Sequence, residues 1–147
     1  HSLDWHLLEQ PEHRALLDLN RDLNHLYLEN PVLHAGDTDP AGFAWIDLHN
    51  GDQSVFAFLR RSPLHPDRPP LLCVFNCTPV PREAYWLGVP EAGTYRRVLD
   101  TDAARFGGSG FNQQERVVSQ LAPCQGYPCH IRLDLPPLGA LFFEVAN

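Results

Sequence analysis

Few side chains in this chain fall at spacings that do chemistry. Four cysteines stand at 73, 77, 124 and 129, in C-x3-C and C-x4-C spacing. That spacing raises zinc. Cys73 and Cys77, however, lie in and just past an apolar run, Leu71-Leu72-Cys73-Val74-Phe75. Four residues of strand hold them about 13 Å apart, too far for two ligands of one metal. Free thiols are the main reading and a Cys124–Cys129 disulfide the other. His1-Ser2-Leu3-Asp4 shows no secretory leader, which favours a reducing compartment, the cytoplasm. Asp37-Thr38-Asp39 begins like a calcium loop but lacks the later Gly and Glu ligands, so Asx-turn bonding accounts for it. Gly107-Gly108-Ser109-Gly110 lacks the Lys and the following helix of a phosphate loop and reads as a turn. No Ser sits in a hydrolase context such as G-x-S-x-G. The residues therefore assign no catalytic group, no metal and no cofactor. Aromatic chemistry remains. A Trp ring stacks on a sugar face while its N–H bonds a hydroxyl. Trp45, Trp86, Tyr85 and Tyr95 offer such a platform, or else fill cores and domain interfaces, as strand aromatics usually do. Trp86 follows a proline-rich turn and is expected to be the most exposed of them.

The elements that must position these residues can be read from period and punctuation. Leu16, Leu19, Leu23 and Leu26 recur at helical spacing over residues 11–29, with Tyr27 beside them. Pro11 suits a first helical position, and Asn30-Pro31 ends the helix. From residue 36 the texture becomes short strands and stiff loops. Phe43 to Leu48 reads as a strand with Ala44, Ile46 and Leu48 on one face and Phe43 and Trp45 on the other. Asn50-Gly51-Asp52 is a hairpin signal. Val55, Ala57 and Leu59 then alternate against Phe56, Phe58 and Arg60. Further strands are expected at 70–75, 85–89, 94–99, 131–135 and 138–145. Fourteen prolines and seven or eight short strands argue an all-β antiparallel sandwich preceded by one amphipathic helix.

Composition narrows the function classes. Net charge is −7, every positive side chain is Arg, and no basic stripe appears, so nucleic acid is a poor partner. No apolar run reaches the roughly 18 residues of a membrane span, so no membrane partner is expected.

Several segments, in order, resemble the C-terminal end of bacterial 1,4-α-glucan (glycogen) branching enzymes, of the α-amylase superfamily. Asn76-Cys77-Thr78-Pro79-Val80-Pro81-Arg82 is similar to the signature N-F-T-P-V-P-R. Leu3-Asp4-Trp5-His6-Leu7-Leu8 resembles L-x-W-H-L-L, and Arg21-Asp22-Leu23-Asn24 resembles R-D-L-N. Gly42 to Ile46 resembles G-F-E-W-I, and Ser54 to Arg61 resembles S-V-x-x-F-x-R-R. Thr101-Asp102 with Gly107-Gly108-Ser109 resembles N-T-D…Y-G-G-S, and Leu133 to Ala140 resembles L-x-L-P-P-L-x-A. Cys77 stands where Phe is usual, Asp100 where Asn is usual and Phe106 where Tyr is usual. Residues 110–129 match poorly and read as a variable surface loop.

The resemblance implies an enzyme that cuts α-1,4-glucan and rejoins the piece through an α-1,6 bond by a retaining mechanism. Its catalytic acids belong to barrel segments upstream of the stretch like Ser2 to Leu8, so none is expected here. It implies that residues 1–35 are the end of a (β/α)8 barrel and 36–147 an amylase-type C-terminal sandwich. The chain reads as a piece of that enzyme, partnered by its own barrel and by α-glucan such as glycogen. Trp5 and His6 would lie near the rim of the glucan cleft, although Trp5 also suits packing under the last helix. Trp86 is the third candidate substrate contact. The alternatives are a stand-alone carbohydrate-binding module and a purely structural domain of a related enzyme.

Overall fold

In the computed structural model, which describes residues 3–146, the leucine period becomes one helix, α1 (Pro11–Glu29). Pro11 occupies the first turn, where its missing N–H has no partner to lose, and Glu12 faces the positive end of the helix dipole. Asn30 closes α1 with its N–H on the Leu26 carbonyl at 3.1 Å. Its side chain then accepts from the Val32 amide at 3.3 Å, starting a short 3-10 turn, Pro31–Leu33. Three more such turns, Trp5–Glu9, Pro40–Gly42 and Ala104–Phe106, are elements that the periodicity does not announce. The leucine stripe is used only in part. Leu23 and Leu26 pack on the sheet, whereas Leu16, Tyr27 and Leu28 are exposed.

Eight strands follow: β1 (Phe43–Asp47), β2 (Val55–Arg60), β3 (Leu71–Asn76), β4 (Arg82–Val89), β5 (Thr94–Asp100), β6 (Arg116–Val118), β7 (Cys129–Leu135) and β8 (Gly139–Ala146). Every pairing is antiparallel. A six-stranded sheet runs β1-β2-β3-β8-β5-β6, and β4-β7 forms a second, two-stranded sheet. The core lies between them. Val55, Ala57, Leu59, Leu72, Val74, Leu141 and Phe143 face Leu87, Val89, Ile131, Leu133 and Leu135. These are the alternate positions of their strands, as a half-buried pleat requires. β3 is apolar on both faces because its outer side, Leu71 and Cys73, is covered too. There Val32, Leu23 and Leu26 form a second, smaller core with Leu99 and Phe142.

The predicted strands and helix are present, with two differences. The Asn50-Gly51 signal does not make a two-residue turn: β1 ends at Asp47 and β2 begins at Val55. The register slips at Trp45/Asp47, and the Asn50 amide is spent on Tyr85 and Gln53 rather than on a tight turn. The stretch 110–129 is not merely loop: it contains β6 and the buried Asn112.

The Asn76-Cys77-Thr78-Pro79 stretch is a latch. Asn76 is 2% exposed. Its amide donates to the Val80 and Pro136 carbonyls at 2.8 and 2.9 Å. Its oxygen accepts from the Thr78 amide at 3.1 Å and from the Thr78 hydroxyl at 2.8 Å. One buried side chain thus replaces the ladder where β3 stops and ties it to the turn before β8. The glycine loop is closed from within as well. Asp102 accepts from the Ser109 amide and hydroxyl and from the Phe111 amide, so a carboxylate of the chain takes the place a phosphate would. Gly108 is required, since a Cβ there would lie 2.2 Å from the Asp102 carbonyl oxygen. Asp39 caps the Pro40–Gly42 turn through the Ala41 amide, the Asx bonding expected of it. All four cysteines are free thiols, Cys124 and Cys129 included. Burial pushes the Cys73 thiol up to about 12, which leaves it inert.

Candidate functional site

The aromatic candidates do not form one platform. Tyr95 is core, its hydroxyl on the Glu91 carbonyl at 2.9 Å. Trp45 stands on the outer face of the large sheet, edge-on to Phe43 and Phe58, and is 46% exposed. Trp86 lies on the outer face of the small sheet and is 49% exposed. Trp5 is more open than either, at 66%, and His6 beside it is exposed. Their 3-10 turn packs against α1.

Trp86 is held in place. Its ring stacks on His130 at 4.4 Å between centroids and 5° between planes, and the Arg132 guanidinium lies 4.6 Å from its centroid. Both neighbours come from β7: Arg132 is directly opposite Trp86, and His130 is two residues along on the same face. His130 is itself buried, with Nδ1 2.9 Å from the Ala122 carbonyl. A carbonyl only accepts, so Nδ1 carries the proton.

Beside Trp86, between β4 and the β1–β2 loop, the two sheets part into a shallow cleft, wide open to solvent. Its floor is a network of fixed polar atoms. The buried Asp47 accepts from the Tyr85 hydroxyl at 2.5 Å and from the Gln125 amide at 2.8 Å. Asn50 donates to the same hydroxyl at 2.6 Å. Burial, and then the bond to Asp47, pushes the Tyr85 phenol well above its ordinary range, so it stays a donor. Arg82 forms the wall, giving one nitrogen to the Gln53 carbonyl at 3.0 Å. Glu83 stands exposed at the lip. A bulge between Arg82 and Tyr85 puts Ala84 at φ 49°, left-handed backbone that turns these two side chains out of the regular pleat.

Asp47, Glu83 and Gln125 were not singled out from the sequence; Asn50 was read only as part of a hairpin turn, and Arg82 only as the last residue of the Asn76–Arg82 stretch. They come from three separate segments, which no period connects. The available signal was Gln125-Gly126 between Cys124 and Pro128, a turn that carries a polar side chain into the gap. Among the described residues no cluster of three or more His, Cys, Asp or Glu groups is placed to hold a metal. The Asp47 carboxylate, committed to two donors inside the protein, is a structural group rather than a nucleophile.

The family model of the α-amylase C-terminal all-β domain matches residues 45–146. The chain belongs to that family. It is 44% identical to the 1,4-α-glucan branching enzyme GlgB of Thiobacillus denitrificans over 97% of its own length and 19% of that protein. The GlgB proteins of Rubrobacter xylanophilus and Pseudomonas aeruginosa are 46% and 44% identical over 97% and 99% of the chain, each over 19% of theirs. The chain thus spans about a fifth of these relatives, and the part it matches is their C-terminal part. A crystal structure of an α-amylase from H. orenii superposes with a TM-score of 0.51 over 88% of the chain at 18% identity, and shares the fold. No described helix is long and apolar enough to cross a membrane.

Proposed function

We propose that this chain is the C-terminal portion of a 1,4-α-glucan branching enzyme of the cytoplasm. The parent cuts an α-1,4-glucan and rejoins the piece through an α-1,6 bond on glycogen or amylose-like chains. The observation that carries this is a match over 97% of the chain to only 19% of a branching enzyme. In this reading residues 1–35 end a (β/α)8 barrel, 36–147 form the sandwich domain, and the catalytic acids lie in the other four-fifths of the protein.

The portion in hand is non-catalytic and supports the barrel. Two unpartnered apolar surfaces on the same side of the large sheet support that role. One is the open edge of α1, with Leu16, Tyr27 and Leu28; the other is the aromatic face of Phe43, Trp45 and Phe56. A barrel seated there covers both. Trp5 and His6, exposed before α1, take their place at the rim of the parent's glucan cleft.

The test is a branching assay on the longer protein with and without residues 36–147, followed by loss of the iodine–amylose colour. We expect the longer protein to branch and the shortened one to lose both activity and thermal stability. Full activity without the sandwich overturns the supporting role, and no branching by the longer protein overturns the enzyme reading.

A further inference from the structure

Asn50 makes no two-residue turn because its side chain bonds elsewhere, but the Asn50-Gly51 pair keeps a chemistry of its own. A backbone nitrogen that follows an asparagine can attack the asparagine Cγ and close a five-membered ring. Glycine suits that attack best: it has no Cβ to shield the nitrogen, and its backbone swings freely into reach. Asn50 is the only asparagine of the chain with glycine after it. Asn30 is followed by Pro31, which has no N–H to attack with. Asn76 and Asn112 are buried in bonded networks.

The local structure leaves the reacting atoms open. Gly51 is exposed, and a Cβ built on it would meet no atom within 4 Å. Its carbonyl accepts from the Ser54 amide at 3.1 Å, whereas its own N–H bonds nothing among the described residues. The pair lies outside the ladder, between the end of β1 at Asp47 and the start of β2 at Val55. Asn50 is half-buried, and among the described residues its Oδ1 accepts no bond. Only Nδ2 is held, by Gln53 Oε1 at 3.0 Å and the Tyr85 hydroxyl at 2.6 Å.

We infer that Asn50 is a site of spontaneous deamidation, and that its conversion loosens the tie between the β1–β2 loop and β4. The Gly51 nitrogen gives its proton to hydroxide and bonds Asn50 Cγ, and Nδ2 leaves as ammonia. Water then opens the succinimide, to aspartate at one carbonyl or to isoaspartate at the other. The product carries a carboxylate where an amide donor stood. Tyr85 has one phenolic proton, and it is already given to the buried Asp47 at 2.5 Å. Two anions would then flank one phenol oxygen, with a donor for only one of them. Arg82 is the cation nearby, but one of its nitrogens is held by the Gln53 carbonyl at 3.0 Å. Isoaspartate also adds a backbone carbon, so the loop no longer fits its path from Asp47 to Val55. None of this depends on the branching-enzyme reading.

The experiment ages this chain at physiological pH and temperature and follows it by peptide mapping in a mass spectrometer that separates aspartate from isoaspartate. Gly51→Ala and Asn50→Asp variants run beside it, with circular dichroism confirming each fold. Asn50 should convert before any other asparagine, chiefly to isoaspartate, and about tenfold more slowly in Gly51→Ala, where the freedom of glycine is gone. The aged chain and Asn50→Asp should both melt below the fresh chain. An Asn50 that stays intact while other asparagines convert, or that converts equally fast in Gly51→Ala, overturns the site. Unchanged melting of the aged chain and of Asn50→Asp overturns the loosening.

Discussion

Trp45 and Trp86 are exposed to nearly the same degree, 46% and 49%, and stand on the outer faces of opposite sheets. Their neighbours separate them. Trp45 ends a row of rings, with Phe43 and Phe58 against it and Phe56 stacked on Phe75 beyond. Trp86 lies among His130, Arg132 and the polar cleft. Exposure alone says only that a partner is missing. The surrounding chemistry says which: an extended apolar face suits another protein layer, whereas the Trp86 ring already has His130 stacked on it and Arg132 over it, and only its edge meets solvent.

That contrast can be broken in several ways. The largest effect should come from a residue on neither surface. Asn76→Ala leaves two carbonyls and the Thr78 amide without their buried partner and should cost about 3 kcal/mol in urea unfolding of this chain and of the longer protein alike. A loss confined to one context would mean the latch touches the barrel. Next comes Trp45→Ala, expected to cost about 3 kcal/mol in the longer protein, where the ring is covered, and at most about 1 kcal/mol in this chain. Equal losses would place Trp45 in the same class as Trp86. Trp86→Ala removes the stack on His130 and the contact with Arg132 and should cost about 1 kcal/mol in both contexts, because both neighbours belong to this domain; a loss seen only in the longer protein would put the barrel against Trp86.

The smallest effect concerns Asp100, at the end of β5 beside the outer core. Burial holds its carboxyl above the ordinary value, although the Asp102 amide and Arg97 pull it down. Between the unfolded pKa and that raised folded one, the folded state keeps the extra proton. Its contribution to stability therefore falls as pH rises through this window and is lowest above it. Asp100→Asn should abolish that dependence, so the variant gains on the parent sequence as pH rises from about 4 to 7. A difference that stays flat with pH would show the carboxylate to be well paired.

The fold was legible where one residue type did one job. Pro11 and Asn30-Pro31 bounded α1 to the residue, and the alternation of β2 placed Val55, Ala57 and Leu59 in the core. The Phe43/Trp45 face was legible for the same reason. The β1–β2 turn was not, because Asn50 bonds Tyr85, a residue 35 positions away, and a local signal cannot report that competition. β6 was hidden by its length of three residues, with only Val117 buried. Of the site, the exposure of Trp86 was legible from its place after a proline turn. Its fixing was not: His130 reads as an outward position on a half-buried strand, and only the 120–124 loop folding over it makes it a buried stacking partner. The cleft's remaining walls meet only in three dimensions.

The sheet order has a consequence for how the molecule is made. β8 follows every other strand in the chain, yet it lies in the middle of the large sheet, between β3 and β5. Until its residues leave the ribosome, β1-β2-β3 and β5-β6 are two half-sheets with bare edges turned to an empty slot, the geometry that invites wrong pairing. Closure is then a late event with long loops to bridge, which slows it. A message truncated before Gly139 yields no smaller stable unit, only two adhesive ribbons. Translation through β8 is therefore the step that separates a folded domain from a client of chaperones and proteases.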